Sequence, residues 1–169
     1  MRMAWLFVPA VVVALVSPVL ADDALQRATL AGLTGVRIFV GNIDSDAEKA
    51  GLNQSTLQTD VEVRLRHAGI RVLTEDKWFV SPGMPSLYLR VDMIEDRDDG
   101  LYAYHIRLEL AQQVRLARDP EIRTFDRVWG ARESIGIAGA DNLSTSIRER
   151  VRDKVDEFIN AYLAANPKR

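Results

Sequence analysis

Residues 86–117 read SLYLRVDMIEDRDDGLYAYHIRLELAQQVRLA, and the fold turns on how this stretch is read. Leu87, Leu89, Val91 and Met93 alternate with polar neighbours, and so do Ile106, Leu108 and Leu110, with Val114 and Leu116 in phase. A period of two is the mark of a strand with one buried face. Between the two runs lies EDRDDG (Glu95–Gly100), four carboxylates in six residues closed by glycine. Such a cluster is either a metal loop or a turn. An EF-hand loop needs a third acidic ligand where Gly100 stands and a glutamate where Arg107 stands, so that pattern fails twice. Asp99-Gly100, by contrast, is a favoured pair for a tight type I′ hairpin.

The hairpin reading predicts a register. With Asp99-Gly100 as the loop, or with a four-residue loop over Asp98–Leu101, Met93 faces Ile106, Val91 faces Leu108 and Leu89 faces Leu110. On the other face Asp92 meets Arg107 and Arg90 meets Glu109. Opposite charges directly across a ladder stabilise by about 0.2–1 kcal/mol each, whereas like charges oppose pairing. A slip of two residues sets Arg90 against Arg107, or Asp92 against Glu109, and a slip of one sets apolar against charged residues. Arg90, Asp92, His105, Arg107, Glu109, Gln113 and Arg115 then line one face, and the opposite face is apolar. The expectation is an α+β protein, a two-layer α/β sandwich with helices on one side of the sheet and the other side open.

The remaining elements are read outward from this hairpin. VRIFVGNI (Val36–Ile43) has strand alternation. After a loop with a possible helical turn, Ser55 is expected to cap a helix, with Gln58 completing a capping box. Leu57, Val61, Leu65 and Ala68 share one face of it, and Gly69 ends it. IRVLT (Ile70–Thr74) is expected as the second strand of a strand–helix–strand unit. Asp76–Ser86, with two prolines and a glycine, reads as a loop carrying Trp78 and Phe79. RDPE (Arg118–Glu121) reads as a turn, Thr124–Ser134 as a further strand, and IGIAGAD (Ile135–Asp141) as a flexible connection. Leu143, Ile147, Val151, Val155, Phe158 and Tyr162 form the stripe of a long C-terminal helix, capped by Asp141 or Asn142 and stopped at Asn166-Pro167. Residues 25–33 suggest a short lead-in helix.

The chain has 169 residues and a formal net charge of −2, with arginines interleaved among acids. That balance gives no general affinity for nucleic acid. Arg2, the apolar stretch from Ala4 to Val16, Pro18 and the small residues around Ala21 match a secretory signal peptide cleaved after Ala21. An uncleaved anchor is the rival reading. Residues 1–21 are thus expected as a signal peptide and 22–169 as a single α/β domain, periplasmic or secreted, without a transmembrane segment after cleavage. The absence of cysteine removes disulfides, thiolate zinc sites and a lipidated cysteine from consideration.

No catalytic constellation is expected. His67 falls on the polar side of its helix. His105 lies on the open sheet face and would need an acidic orienter and a nucleophile to act. ARESIG (Ala131–Gly136) has Arg132 where a nucleophile elbow needs glycine. GIAGAD (Gly136–Asp141) lacks the lysine of a phosphate loop. No catalytic, cofactor or metal residue is assigned. The residues expected to contact a partner are Trp78, Phe79, Met84, Arg90, His105 and Arg107.

The order of elements, VRIFVGNI, then STLQTDVEVRLRHAGI with its Ala68-Gly69-Ile70 ending, then IRVLT, a hairpin and a long final helix, resembles small exported bacterial envelope proteins. These have the fold of the TolB amino-terminal domain, CsgG-like domains and LptE. The resemblance implies a noncatalytic role in assembling or bridging envelope components, with another envelope protein as partner. The chain departs from the lipoprotein members in lacking the anchoring cysteine that would tether it to the outer membrane, and, since no functional motif matches residue by residue, no binding residues carry over. Two alternatives stand beside it: a small hydrolytic or metal-dependent enzyme using His105 near acidic residues, and a small-ligand carrier with a cavity between sheet and helices.

Overall fold

The computed structural model of the protein describes residues 24–167 apart from 44, 50 and 97, with the backbone alone at 46. The signal-peptide reading of residues 1–21 lies outside the described residues. The elements in chain order are α1 (described over residues 24–28), β1 (Arg37–Val40), α2 (Ser45–Lys49), α3 (Gln54–His67), α4 (Glu75–Phe79), β2 (Ser86–Asp96), β3 (Leu101–Leu116), β4 (Asp119–Gly130), β5 (Ser134–Gly139) and α5 (Ala140–Ala165). The strands make one mixed sheet in the order β1-β2-β3-β4, with β5 also paired to β3. β1 and β2 are parallel, and every other pairing is antiparallel. The mixed α+β class expected from the alternation is the class observed.

The hairpin forms, but in a different register. Arg90 lies opposite Arg107, Val91 opposite Ile106, Asp92 opposite His105 and Met93 opposite Tyr104. This is the two-residue slip that the charge argument rejects. The turn explains it. Asp96 pairs with Leu101, so the loop falls between these two residues, and Gly100 closes it in the left-handed region at φ +63°. Asp96 Oδ1 accepts from Asp98 N at 3.1 Å, an Asx-type bend that starts the loop one residue pair earlier than expected. The charges adapt through their length. Asp92 accepts from Arg107 Nη2 at 2.8 Å on the diagonal and from Arg90 Nε at 2.9 Å along its own strand, so one carboxylate bridges the two opposed arginines.

Beneath the sheet, α3 and α5 bury their apolar stripes. Leu57, Val61 and Leu65 from α3, and Leu143, Ile147, Val151, Val155 and Phe158 from α5, are at most 2% exposed. They join one core with Ile38, Leu87, Leu89, Ile106, Leu108 and Leu110. Each such side chain contributes about 1.5–3 kcal/mol by leaving water. Bidentate pairs from Arg64 to Asp156 and from Arg148 to Asp60 hold the two helices side by side.

Several local expectations are corrected. The cap of α3 is Asn53, whose Oδ1 accepts from Ser55 N and Thr56 N, while Ser55 lies inside the helix. Gln58 donates to Glu62 instead of closing a capping box. Gly69 does take the left-handed position, at φ +79°. IRVLT makes only a parallel bridge between Val72 and Val36, because the chain turns at once into α4. α4 occupies the first part of the region expected as loop. The turn after β3 is Ala117–Arg118, and Pro120 lies within β4 among residues 120–122, which a register shift leaves unpaired. IGIAGAD is no connector: residues 135–139 belong to strand β5. α5 therefore starts directly from Gly139 as its cap, without help from Asp141 or Asn142.

β4 and β5 are two segments of one sheet margin. β4 pairs with β3 from Glu109 to Leu116 and β5 pairs with it from Leu101 to Ile106. Ala131 N donates to Leu108 O at 2.9 Å, and one extra residue between the two registers makes a bulge. α5 is fastened to this junction by Glu157, which accepts from Arg132 N at 2.9 Å and from the nearly buried Lys154 Nζ at 2.6 Å.

Candidate interaction face

The face of the sheet away from the helices is open, and three zones follow one another across it. The first is aromatic. Phe39 of β1 stacks on Tyr88 of β2 with centroids 4.9 Å apart, and Trp78 meets Phe39 edge-on at 5.9 Å. The Arg37 guanidinium lies 4.9 Å from the Phe39 ring and 5.1 Å from the Trp78 ring, and pairs with Glu75. Trp78 Nε1 donates to Ser86 Oγ at 3.1 Å, which seals Ser86 from water. Of the expected contact residues, Trp78 is thus half-buried as a cover over this corner. Phe79 is 60% exposed beside it. Met84 is half-buried in the strained left-handed region at φ +43°.

The second zone is a belt of paired charges. Arg90, Asp92 and Arg107 form the bridge described above. Arg127 Nη1 donates to Glu109 Oε1 at 2.9 Å. His105 Nε2 lies 2.8 Å from Glu133 Oε2. The hydrogen bond from Arg107, reinforced by Arg90, holds the Asp92 carboxyl below its ordinary range against the opposing effect of burial. Arg107 Nε is buried and has no hydrogen-bond partner among the described residues. Arg90, His105 and Arg107 therefore do stand on the open face together, while Trp78, Phe79 and Met84 lie at its aromatic end.

The third zone is aliphatic. Ile94 of β2, Ala103 of β3 and Ile137 of β5 form one cross-strand row, and Ile135 follows beside His105. Ile94, Ile135 and Ile137 are 77%, 83% and 71% exposed. None of these three residues stands out in the sequence. Ile135 and Ile137 do alternate, but Gly136 between them and Gly139 beyond disguise the period of two. Ile94 has the parity of the polar face and is hidden at the end of an apolar run.

His105 has an acidic neighbour in Glu133, but among the described residues no hydroxyl hydrogen-bonds to its ring. Among the described residues no three His, Asp or Glu side chains converge as a metal site, and the acidic tip is part of the hairpin loop. His67 is exposed on α3, as its helical position requires. It borders a groove of about 720 Å³ between α3 and α5, on the outer side of the helices rather than between helices and sheet. The two bidentate ion pairs involve residues that line that groove. Among the described residues no helix is long and apolar enough to cross a membrane. Comparison of the chain with protein families, with curated proteins and with solved structures gives no match to any of them.

Proposed function

We propose that this chain is a noncatalytic interaction domain of the bacterial cell envelope, periplasmic or secreted, that holds another envelope protein on the open face of its sheet. One observation carries the reading: three isoleucines 71% to 83% exposed share a face with a belt of charges already paired among themselves. An aliphatic patch rimmed by polar groups marks a recognition surface. The charge belt adds orientation, since a partner must present complementary groups to approach it. The aromatic corner offers a second anchor in Tyr88 and Phe79. The likeness of the element order to TolB amino-terminal, CsgG-like and LptE-like proteins supports an assembly role.

The test is affinity capture from envelope extracts with the mature chain and with an Ile94→Asp/Ile137→Asp variant. A partner retained by the first and lost by the second is expected. Equal recovery by both would remove the aliphatic zone from the reading. A hydrolytic role for His105 is favoured only by its 2.8 Å approach to Glu133. It demands an activity that His105→Ala abolishes, with the fold unchanged by circular dichroism.

A further inference from the structure

The sheet has two margins, and they are finished differently. Beyond β1, Val72 bridges to Val36 and α4 follows. The other margin is β4 followed by β5. β4 is guarded by Asp119, Pro120, Glu121, Arg123, Asp126 and Arg127, and by two irregularities of register. Charges, proline and bulges are the devices that keep an edge strand from pairing with another chain. β5 has none of them within its span. Its six residues, Ser134-Ile135-Gly136-Ile137-Ala138-Gly139, include no charge and no proline, and among the described residues β3 is its only strand partner.

We propose that β5 pairs with β5 of a second copy of this chain, antiparallel about a two-fold axis at Gly136, so that one sheet runs through both molecules. Symmetric pairing allows few registers, because the two-fold must centre on a residue of the strand. Centring on Ile135 sets Ile137 against the negative Glu133. Centring on Ile137 sets Ile135 against Gly139, where no side chain meets it. Centring on Gly136 sets Ile135 against Ile137 of the second copy twice over, on the open face, and pairs glycine with glycine on the other. The aliphatic row Ile94–Ala103–Ile137 then continues into Ile135 of the second copy. This register also brings Arg132, just before β5, to the end where β5 of the second copy passes into α5, close to Asp141. Both Arg132 and Asp141 are exposed, and among the described residues neither has an ion-pair partner within its own chain. The symmetry joins these opposite charges at both ends of the pairing, which is the complementarity that selects a second copy over an unrelated strand.

A six-residue strand covers less surface than the ~800 Å² per partner of a standard stable interface. The association is therefore weak and rises with concentration. It goes beyond the envelope-binding reading, and it leaves the open face accessible in both copies.

The test is sedimentation velocity of the mature chain from micromolar to millimolar concentration, with a cross-linking check. A monomer–dimer equilibrium is expected, at least tenfold weaker in Ile135→Lys/Ile137→Lys. Arg132→Asp and Asp141→Arg each weaken it, and the chain carrying both exchanges regains it. The chain has no cysteine, so Ile135→Cys and Ile137→Cys report without background. Oxidation of the two single variants mixed gives a disulfide-linked heterodimer, while neither alone gives a dimer. A monomer at every concentration, or cross-linking of one single variant by itself, overturns the proposal. A monomer that still captures an envelope partner would overturn self-pairing alone and leave the proposed function standing.

Discussion

β4 and β5 lie along the same margin of the same sheet, yet they solve opposite problems. β4 is twelve residues long, almost wholly exposed, and interrupted by charges and by Pro120. It holds its place chiefly through Trp129, which is buried and meets Phe158 at 5.2 Å. β5 is half that length and uncharged, and its neighbour underneath is Tyr104. A side chain at Gly136 would bring its Cβ within 2.4 Å of the Tyr104 ring. One segment is anchored by a side chain it inserts into the core. The other is anchored by the absence of one, which lets a tyrosine from the next strand lie across it. The comparison teaches that edge strands can be guarded against neighbours or shaped for them, and that a single bulge separates the two designs here.

The glycines offer the sharpest way to break that contrast. Gly136→Val in β5 displaces the Tyr104 ring and is expected to destabilise the protein by about 3 kcal/mol, the upper range for overpacking. Gly130→Ala in β4 meets the flexible Arg127 and Glu109 side chains at 3.5 Å and 3.9 Å, ordinary contacts, and should change stability by less than about 1 kcal/mol. Denaturant midpoints at constant m-value measure both. Equal losses would mean that the ring does not distinguish the two segments. Next in size is the clamp at the junction. Glu157→Ala frees Arg132 N and leaves the ammonium of Lys154, 8% exposed, without its partner. Glu157 is itself 38% exposed, so the loss should be about 2 kcal/mol, below the full penalty of a broken buried pair. Hydrogen exchange would show it first in β5 and the end of β4.

The smallest effect concerns the charge belt beside β5. Because Arg107 and Arg90 lower the pKa of Asp92 in the folded state, its contribution is present above the unfolded carboxyl value of about 3.9 and is lost as pH falls through the folded value. Asp92 is 41% exposed, so the effect should stay under about 1 kcal/mol. Asp92→Asn should flatten the acid limb of the stability curve by that amount. An unchanged limb would separate the belt from the stability of the sheet.

Much of this arrangement is legible in the sequence, for a physical reason. Leu57, Val61 and Leu65, or Leu143 through Phe158, recur at the helical period because one face must leave water. Leu87 through Met93 alternate for the same reason. What depends on contacts distant in sequence is not legible. Directly opposed charges favour a different hairpin register, but arginine is long enough to reach Asp92 diagonally. Gly100, needing a left-handed residue at the end of a four-residue loop, decided the matter instead. β5 reads as a connector because Gly136 and Gly139 weaken any strand pattern, and only Tyr104 on the neighbouring strand explains why residue 136 has no side chain. Parity along the hairpin is enough to place Arg90, His105 and Arg107 on the open face. Ile135 and Ile137 escape it with the strand that carries them.

Asn166, which ends α5, has a consequence of a different kind. Its side chain donates to Leu30 O and accepts from Gly32 N, while Tyr162 donates to Leu33 O nearby. The two ends of the described domain are therefore knotted together by side chains, and nothing in the core depends on which of them is made first. A circular permutant that joins the segment after Asn166 to the one before Leu25 through a short linker, and opens the chain at the solvent-exposed 98–100 bend, should fold to the same sheet.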